Sequence, residues 1–296
     1  MEDPKIIEAH ESHIMDLLFV KDNKTIISAS MDNSIRFWNV PTGDYLFELQ
    51  GHTKSVNSIA LKYKDNMLIS GSSDKTIRFW DLEERKEILQ INGHTKPIVA
   101  VKVSPLEALL ATGSYDGYVK LWCLESLEHY ADLKGHPRNV SCLSFAPDCS
   151  HLISGSLGEE MILWKLPNGE LKKKISSHKV ATNSVHYFSK GKSVLTTGND
   201  KLLKIWNVKD WSIKNKVKLP DINLYRTVVS PKEKYFVLLM DYTIQIWSLK
   251  TLKLLKEIKL KSKGHYTAAF STDEKQLAIG SADKKIRIWE LKTLLK

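Results

Sequence analysis

The chain has 296 residues, 42% of them apolar and 26% charged, a balance ordinary for a globular protein with a sizeable core. Its net charge is +10, and its longest strongly apolar run, Tyr235–Met240, falls far short of the roughly 18 residues that a membrane-crossing helix needs. The acidic start MEDPKIIEAHESH lacks the basic-then-apolar order of a secretory signal, and Cys123, Cys142 and Cys149 have no framework spacing. A soluble protein of the cytoplasm or nucleus with reduced thiols is expected.

In chain order, residues 4–9 read as a short strand ahead of His10, and a repeat follows. Trp38, Trp80, Trp122, Trp164, Trp206, Trp247 and Trp289 are separated by 42, 42, 42, 42, 41 and 42 residues. A fixed period of about 40–45 residues with Gly-His and Trp-Asp signatures marks a propeller array of four-stranded blades. In the second repeat, residues 56–61 read as strand a, 67–72 as b, 76–80 as c and 86–91 as d, with turns at residues 64–66, 73–74 and 83–84. The sixth repeat is one residue short, and the spacing places the gap around residues 232–235. Only seven residues follow Trp289, too few for an outer strand. The N-terminal segment 4–9 is therefore expected to complete the last blade, formed otherwise by residues 264–290, and to remove an open edge. The expectation is an all-β fold, one seven-bladed β-propeller over residues 1–296.

The residues of the repeat carry a resemblance. Gly51-His52, Gly93-His94 and Gly135-His136 each precede their Trp by 28 residues, with a Ser-Gly-Ser-x-Asp type of sequence six residues before the Trp. In this the whole chain resembles the WD40-repeat family. The resemblance implies a buried hydrogen-bonded tetrad of His, Ser or Thr, Asp and Trp. Complete sets are His10, Ser28, Asp32 and Trp38; His52, Ser70, Asp74 and Trp80; His94, Thr112, Asp116 and Trp122; and His178, Thr196, Asp200 and Trp206. These types satisfy one another, since a buried carboxylate needs donors and an indole N–H needs an acceptor. Their recurrence in four blades reads as structural and not as a catalytic triad.

Three repeats depart from the pattern. Blade 4 keeps His136, Ser154 and Trp164 but has Gly158 in place of Asp, followed by Glu159 and Glu160. Blade 6 has Pro220 and Val237 for His and Ser, and blade 7 has Lys261 and Ile279. Gly264-His265 lies 24 residues before its Trp, at the position of Val56, and does not belong with the other Gly-His pairs.

No Gly-rich phosphate motif, HExxH or GxSxG is present, and Cys142, Cys149 and His151 lack zinc-ligand spacing. No catalytic residue, metal or cofactor is expected. The resemblance implies partner binding on the face of the d–a and b–c loops. Strand alternation assigns to it Tyr225, Met240, Tyr266, His13, Met15 and Met31 from blades 6, 7 and 1, with Tyr115 and Asn57 elsewhere. Aromatic and Met side chains gathered there are the composition of a protein-binding patch.

Charge marks a second surface. Residues 1–148 hold 16 Lys+Arg against 21 Asp+Glu, and residues 149–296 hold 28 against 13. Lys172, Lys174, Lys214, Lys216 and Lys218 fall on the outer strands of blades 4 and 5. The expected function is a non-enzymatic scaffold or adaptor, a monomeric propeller that binds other proteins or peptides in a multiprotein complex. The alternative is a polyanion-docking module for acidic protein tails, nucleic acid read without sequence specificity, or an anionic surface.

Overall fold

The computed structural model describes residues 3–296, in which 28 strands form seven four-stranded antiparallel sheets. The fold is a seven-bladed β-propeller. In the second blade the strands run Val56–Lys62, Met67–Ser72, Thr76–Asp81 and Lys86–Asn92, within a residue or two of their sequence limits. Burial falls from the inner strands outward: all six residues of Met67–Ser72 are buried, whereas Glu170–Ser176, an outer strand, buries only Ile175.

The chain falls into two compact units, one comprising the chain up to Asn57 with Ile222–Lys296, the other Ser58–Asp221. In each, apolar faces of successive blades pack together. In the first unit Ile14, Leu17 and Trp38 of blade 1 share a cluster with Ala278, Ile286 and Ile288 of blade 7. In the second, Val119 and Leu121 of blade 3 join Val140, Leu152 and Trp164 of blade 4. Close approach of the blades explains the glycine of the Ser-Gly-Ser and Thr-Gly-Ser sequences. A Cβ on Gly113 of blade 3 would lie 2.7 Å from Val140 Cγ1 of blade 4, and one on Gly155 of blade 4 would lie 2.9 Å from Thr182 Cγ2 of blade 5.

The last blade is completed from the start of the chain. Lys5–Glu8 pairs antiparallel with Lys285–Glu290, from Lys5 opposite Ile288 to Glu8 opposite Lys285. Ile7 is buried against Ile286 and Ile288, and Lys285 Nζ binds Glu8 Oε1 at 2.6 Å. The residues after Trp289 form a helical turn, Leu291–Leu294, whose two terminal leucines are buried in the cluster with Ile258 and Phe270.

The sixth blade departs from its sequence alignment. Its a and b strands, Leu224–Val229 and Tyr235–Met240, are spaced as in blade 5, so residues 232–235 carry no deletion. The missing residue is in the b–c turn, where only Asp241 and Tyr242 separate Met240 from Thr243. Two assignments move with it. Leu238, not Val237, faces Gln245 in the register that pairs Ser28 with Arg36 and Ser70 with Arg78. Met240 becomes the last residue of strand b, opposite Leu224, and points inward.

Candidate functional site

The tetrads knit the inner strands of a blade to the loop that enters it. In blade 1, Trp38 Nε1 donates to Ser28 Oγ at 2.9 Å, Ser28 Oγ meets His10 Nε2 at 2.7 Å, and His10 Nδ1 lies 2.8 Å from Asp32 Oδ2. Asp32 also accepts the backbone N–H groups of Glu11 and Ser34. In blade 3 the same three steps measure 3.0, 2.8 and 2.9 Å, and in blade 5 they measure 2.9, 2.9 and 2.7 Å. In blade 2, Trp80 Nε1 donates to Ser70 Oγ at 2.8 Å, and Asp74 accepts the N–H and hydroxyl of Thr76.

Burial alone would raise the carboxyls of Asp32 and Asp116, but hydrogen bonds from His10 and His94, together with backbone N–H groups, hold both well below the usual range. Burial pushes His178 down against the pull of Asp200. Asp32 and Asp116 thus sit as carboxylates, each against an imidazole nitrogen. Ser28, Ser70, Thr112 and Thr196 are fully buried and each accepts an indole N–H. A nucleophile must be able to reach its substrate, so these hydroxyls form structural sets.

The broken sets are repaired in different ways. In blade 6, Asp241 accepts the Tyr225 hydroxyl and, at 3.0 Å, Asn223 Nδ2, while Trp247 Nε1 donates to Gln245 Oε1. In blade 7, Arg287 grips Asp283, and His265 begins strand a opposite Ser281, as its alignment with Val56 requires. Blade 4 has no substitute: His136 Nε2 meets Ser154 Oγ at 2.6 Å, and Nδ1 has no partner.

The residues assigned to the loop face are not equivalent. In six blades a register shift leaves the second residue of strand a unopposed, so Met15, Val99, Ser141, Asn183, Tyr225 and Tyr266 each sit on a bulge. A bulge re-aims its side chain. Tyr266 consequently packs edge-on against Tyr225, ring centroids 4.9 Å apart, and tilted against His13 at 5.6 Å. Met31, bonded through its N–H to His13 O at 2.9 Å, is 45% exposed. Met15 is half-buried, and Tyr115 is exposed on blade 3. Two assignments fail: Met240 is 1% exposed because of the shortened turn, and Asn57 is buried, its Oδ1 accepting from Ser55 Oγ at 2.9 Å.

Sequence reasoning missed two features of the same region. Tyr242 stands 51% exposed in the two-residue turn beside Tyr225. Beneath the ring cluster, Arg226 Nη1 binds Asp16 Oδ1 at 2.8 Å, and Thr267 Oγ1 donates to the same oxygen at 3.2 Å, tying blades 6, 7 and 1 together. Finding the first needed the correct turn length, and finding the second needed the bulges.

A family model for the WD domain, G-beta repeat matches residues 2–39, 43–81, 85–123, 127–165, 169–207 and 256–290. The chain belongs to the WD40-repeat family. Each of the first five matches ends just after a tetrad-position Trp, while the unmatched residues 208–255 contain Pro220 and Leu238, the replacements in blade 6. Similar curated proteins include coatomer subunit beta' of Drosophila melanogaster, 36% identical over 56 residues, and coatomer subunit beta'-3 of Arabidopsis thaliana, 39% over 56. Each alignment spans 19% of this WD40 chain and 6% of the relative. Apoptotic protease-activating factor 1 of Mus musculus is 42% identical over 52 residues, 18% of this chain and 4% of that protein.

The outer strands of blades 4 and 5 expose Lys172, Lys174, Lys214, Lys216 and Lys218. Simple alternation does not run through them. Register shifts at Trp164 and Trp206 leave Lys172 and Lys214 unopposed. Lys174 approaches Glu160 at 3.8 Å, Lys172 Nζ reaches His151 Nε2 at 2.9 Å, and Lys214 Nζ reaches Ser193 Oγ at 3.1 Å. Among the described residues no helix is long and apolar enough to cross a membrane.

Proposed function

We propose that this WD40 protein is a non-enzymatic scaffold that holds partner proteins or peptides on the loop face of blades 6, 7 and 1, as one subunit of a multiprotein complex. The observation that carries this reading is the aromatic step His13–Tyr266–Tyr225, bordered by exposed Met31 and Tyr242. Its rings are preset by bulges and by the Tyr225–Asp241 hydrogen bond. A few aromatic anchors on a rigid base can dominate binding energy, since little side-chain freedom is lost on contact. The coatomer relatives are named as subunits, which agrees with this role. The test is affinity capture with Met31, Tyr242 and Tyr266 together changed to Ser, with unfolding curves as the control for fold. Loss of specific partners at unchanged stability is expected; retention of every partner contradicts the proposal.

A second reading rests on the five exposed lysines of blades 4 and 5, of which Lys174 alone pairs with a carboxylate among the described residues. Binding of an acidic ligand there would weaken steeply with salt as screening shortens from about 10 Å at 0.1 M to about 3 Å at 1 M. Changing the five lysines to Glu should abolish binding to heparin and to an acidic peptide. Unchanged binding removes this reading.

A further inference from the structure

Blade 4 retains the framework of a tetrad without its carboxylate. The imidazole of His136 stands 6.4 Å from Trp164 at 65°, as His10 stands 6.4 Å from Trp38 at 69°, so the ring keeps the pose it has in a complete set. Trp164 Nε1 and His136 Nε2 both hold Ser154 Oγ, at 2.7 and 2.6 Å. Nδ1 therefore aims where Asp32, Asp116 and Asp200 place an oxygen 2.7–2.9 Å from the equivalent atom. His136 is only 8% exposed, and this nitrogen has no partner.

No carboxylate of the described residues takes the place of the Asp beside Nδ1. A Cβ on Gly158 would have only Ser156 Oγ at 3.2 Å and Arg138 Cδ at 3.8 Å as neighbours within 4 Å. Glu160 turns away toward Lys174, and neither it nor Glu159 reaches the imidazole. Pro137 lacks the N–H that Glu11, Thr95 and Lys179 give to their Asp, which removes one donor. Arg138 adds another: it is exposed, beside the gap, and pairs with no carboxylate among the described residues. Lys174, which approaches Glu160, also acts on His136.

We propose that this gap in blade 4 is a receptor for an acidic side chain of a partner protein, whose carboxylate takes the place of the missing Asp between His136 Nδ1 and the Arg138 guanidinium. A neutral acceptor could bond Nδ1, but only a carboxylate gives Arg138 a charge-assisted partner. The site is separate from the face of blades 6, 7 and 1 and stands or falls independently of it.

The test is a nuclear magnetic resonance titration of the His136 ring in the full chain. The probes are a capped six-residue peptide with one Asp among Gly and Ser, its Asn twin, and acetate. The Asp peptide should shift the His136 signals and raise its pKa from about 4 by roughly 1–3 units. Arg138→Gln should weaken the peptide about tenfold, the loss of one charge-assisted bond. Gly158→Asp supplies the carboxylate internally and should abolish the response. The proposal is overturned if His136 ignores the Asp peptide, if the Asn twin binds as well, or if Arg138→Gln or Gly158→Asp responds as wild type. Saturation by acetate equal to that by the peptide would assign the gap to a free small carboxylate and would overturn the partner assignment.

Discussion

Trp247 Nε1 donates to Gln245 Oε1 at 3.1 Å, two residues back on its own strand, because Leu238 stands where blades 1 to 5 offer a hydroxyl. Even a partly buried indole N–H gains from an acceptor, and that of Trp247 finds one on its own strand. Gln245→Leu should leave it unsatisfied and destabilise by about 1–3 kcal/mol. Adding Leu238→Ser, which restores a hydroxyl in the register of Ser28, should make the Gln245→Leu step cheaper. A double-mutant cycle in urea unfolding measures that coupling, and strictly additive losses would refute the replacement.

Complete and broken tetrads should differ in what their histidines contribute. His94→Ala strands Thr112 and takes a donor from Asp116, at a cost of about 1–3 kcal/mol for each buried group left short. His136→Ala removes a ring that already carries an unsatisfied nitrogen, and should cost less. Equal shifts in denaturation midpoint would contradict this.

Acid should destabilise the fold well before the carboxylates titrate. Burial holds His136 and His265 down at about 4 against an ordinary 6.5; Lys174 adds to this at His136, and at His265 Arg287 adds while Asp283 and Asp241 oppose. Below pH 6.5 the unfolded chain gains protons that the fold refuses. Stability is therefore full above about pH 6.5 and declines as pH falls toward 4, by up to about 1.4 kcal/mol per pH unit for each group. His265→Leu, matching Leu224 at the equivalent place, should remove one group's share of that slope. A pH series of unfolding curves with the slope unchanged would show that His265 does not titrate in this window.

The first strand should matter more than its length suggests. Deleting residues 3–9 removes the partner of Lys285–Glu290, uncovers Ile286 and Ile288, and leaves an open edge. Light scattering and thermal unfolding should report aggregation or a large loss of stability. A deletion variant that unfolds like the full chain would mean that the last blade does not need this strand.

How much of this was legible in the sequence depends on the kind of pattern involved. Seven tryptophans on one period determine the blade count, because each holds the same place in strand c, and in blades 1 to 5 its indole donates to the hydroxyl of the strand beside it; strand limits follow from the turn residues between them. The tetrads were legible for the same reason, since His10, Ser28, Asp32 and Trp38 recur at fixed offsets. Where the spacing changed by one residue, the sequence could not place the gap. Only pairing of Leu224 with Met240 showed that the b–c turn had shortened, burying Met240 and putting Leu238 in the hydroxyl position. Alternation likewise could not reveal the bulges at Tyr225 and Tyr266, since a bulge is a property of two paired strands and not of one. The packing of Tyr266 against Tyr225 and His13, and the unpartnered nitrogen of His136, belong to the tertiary structure alone, because each depends on which neighbouring atoms are present and which are missing.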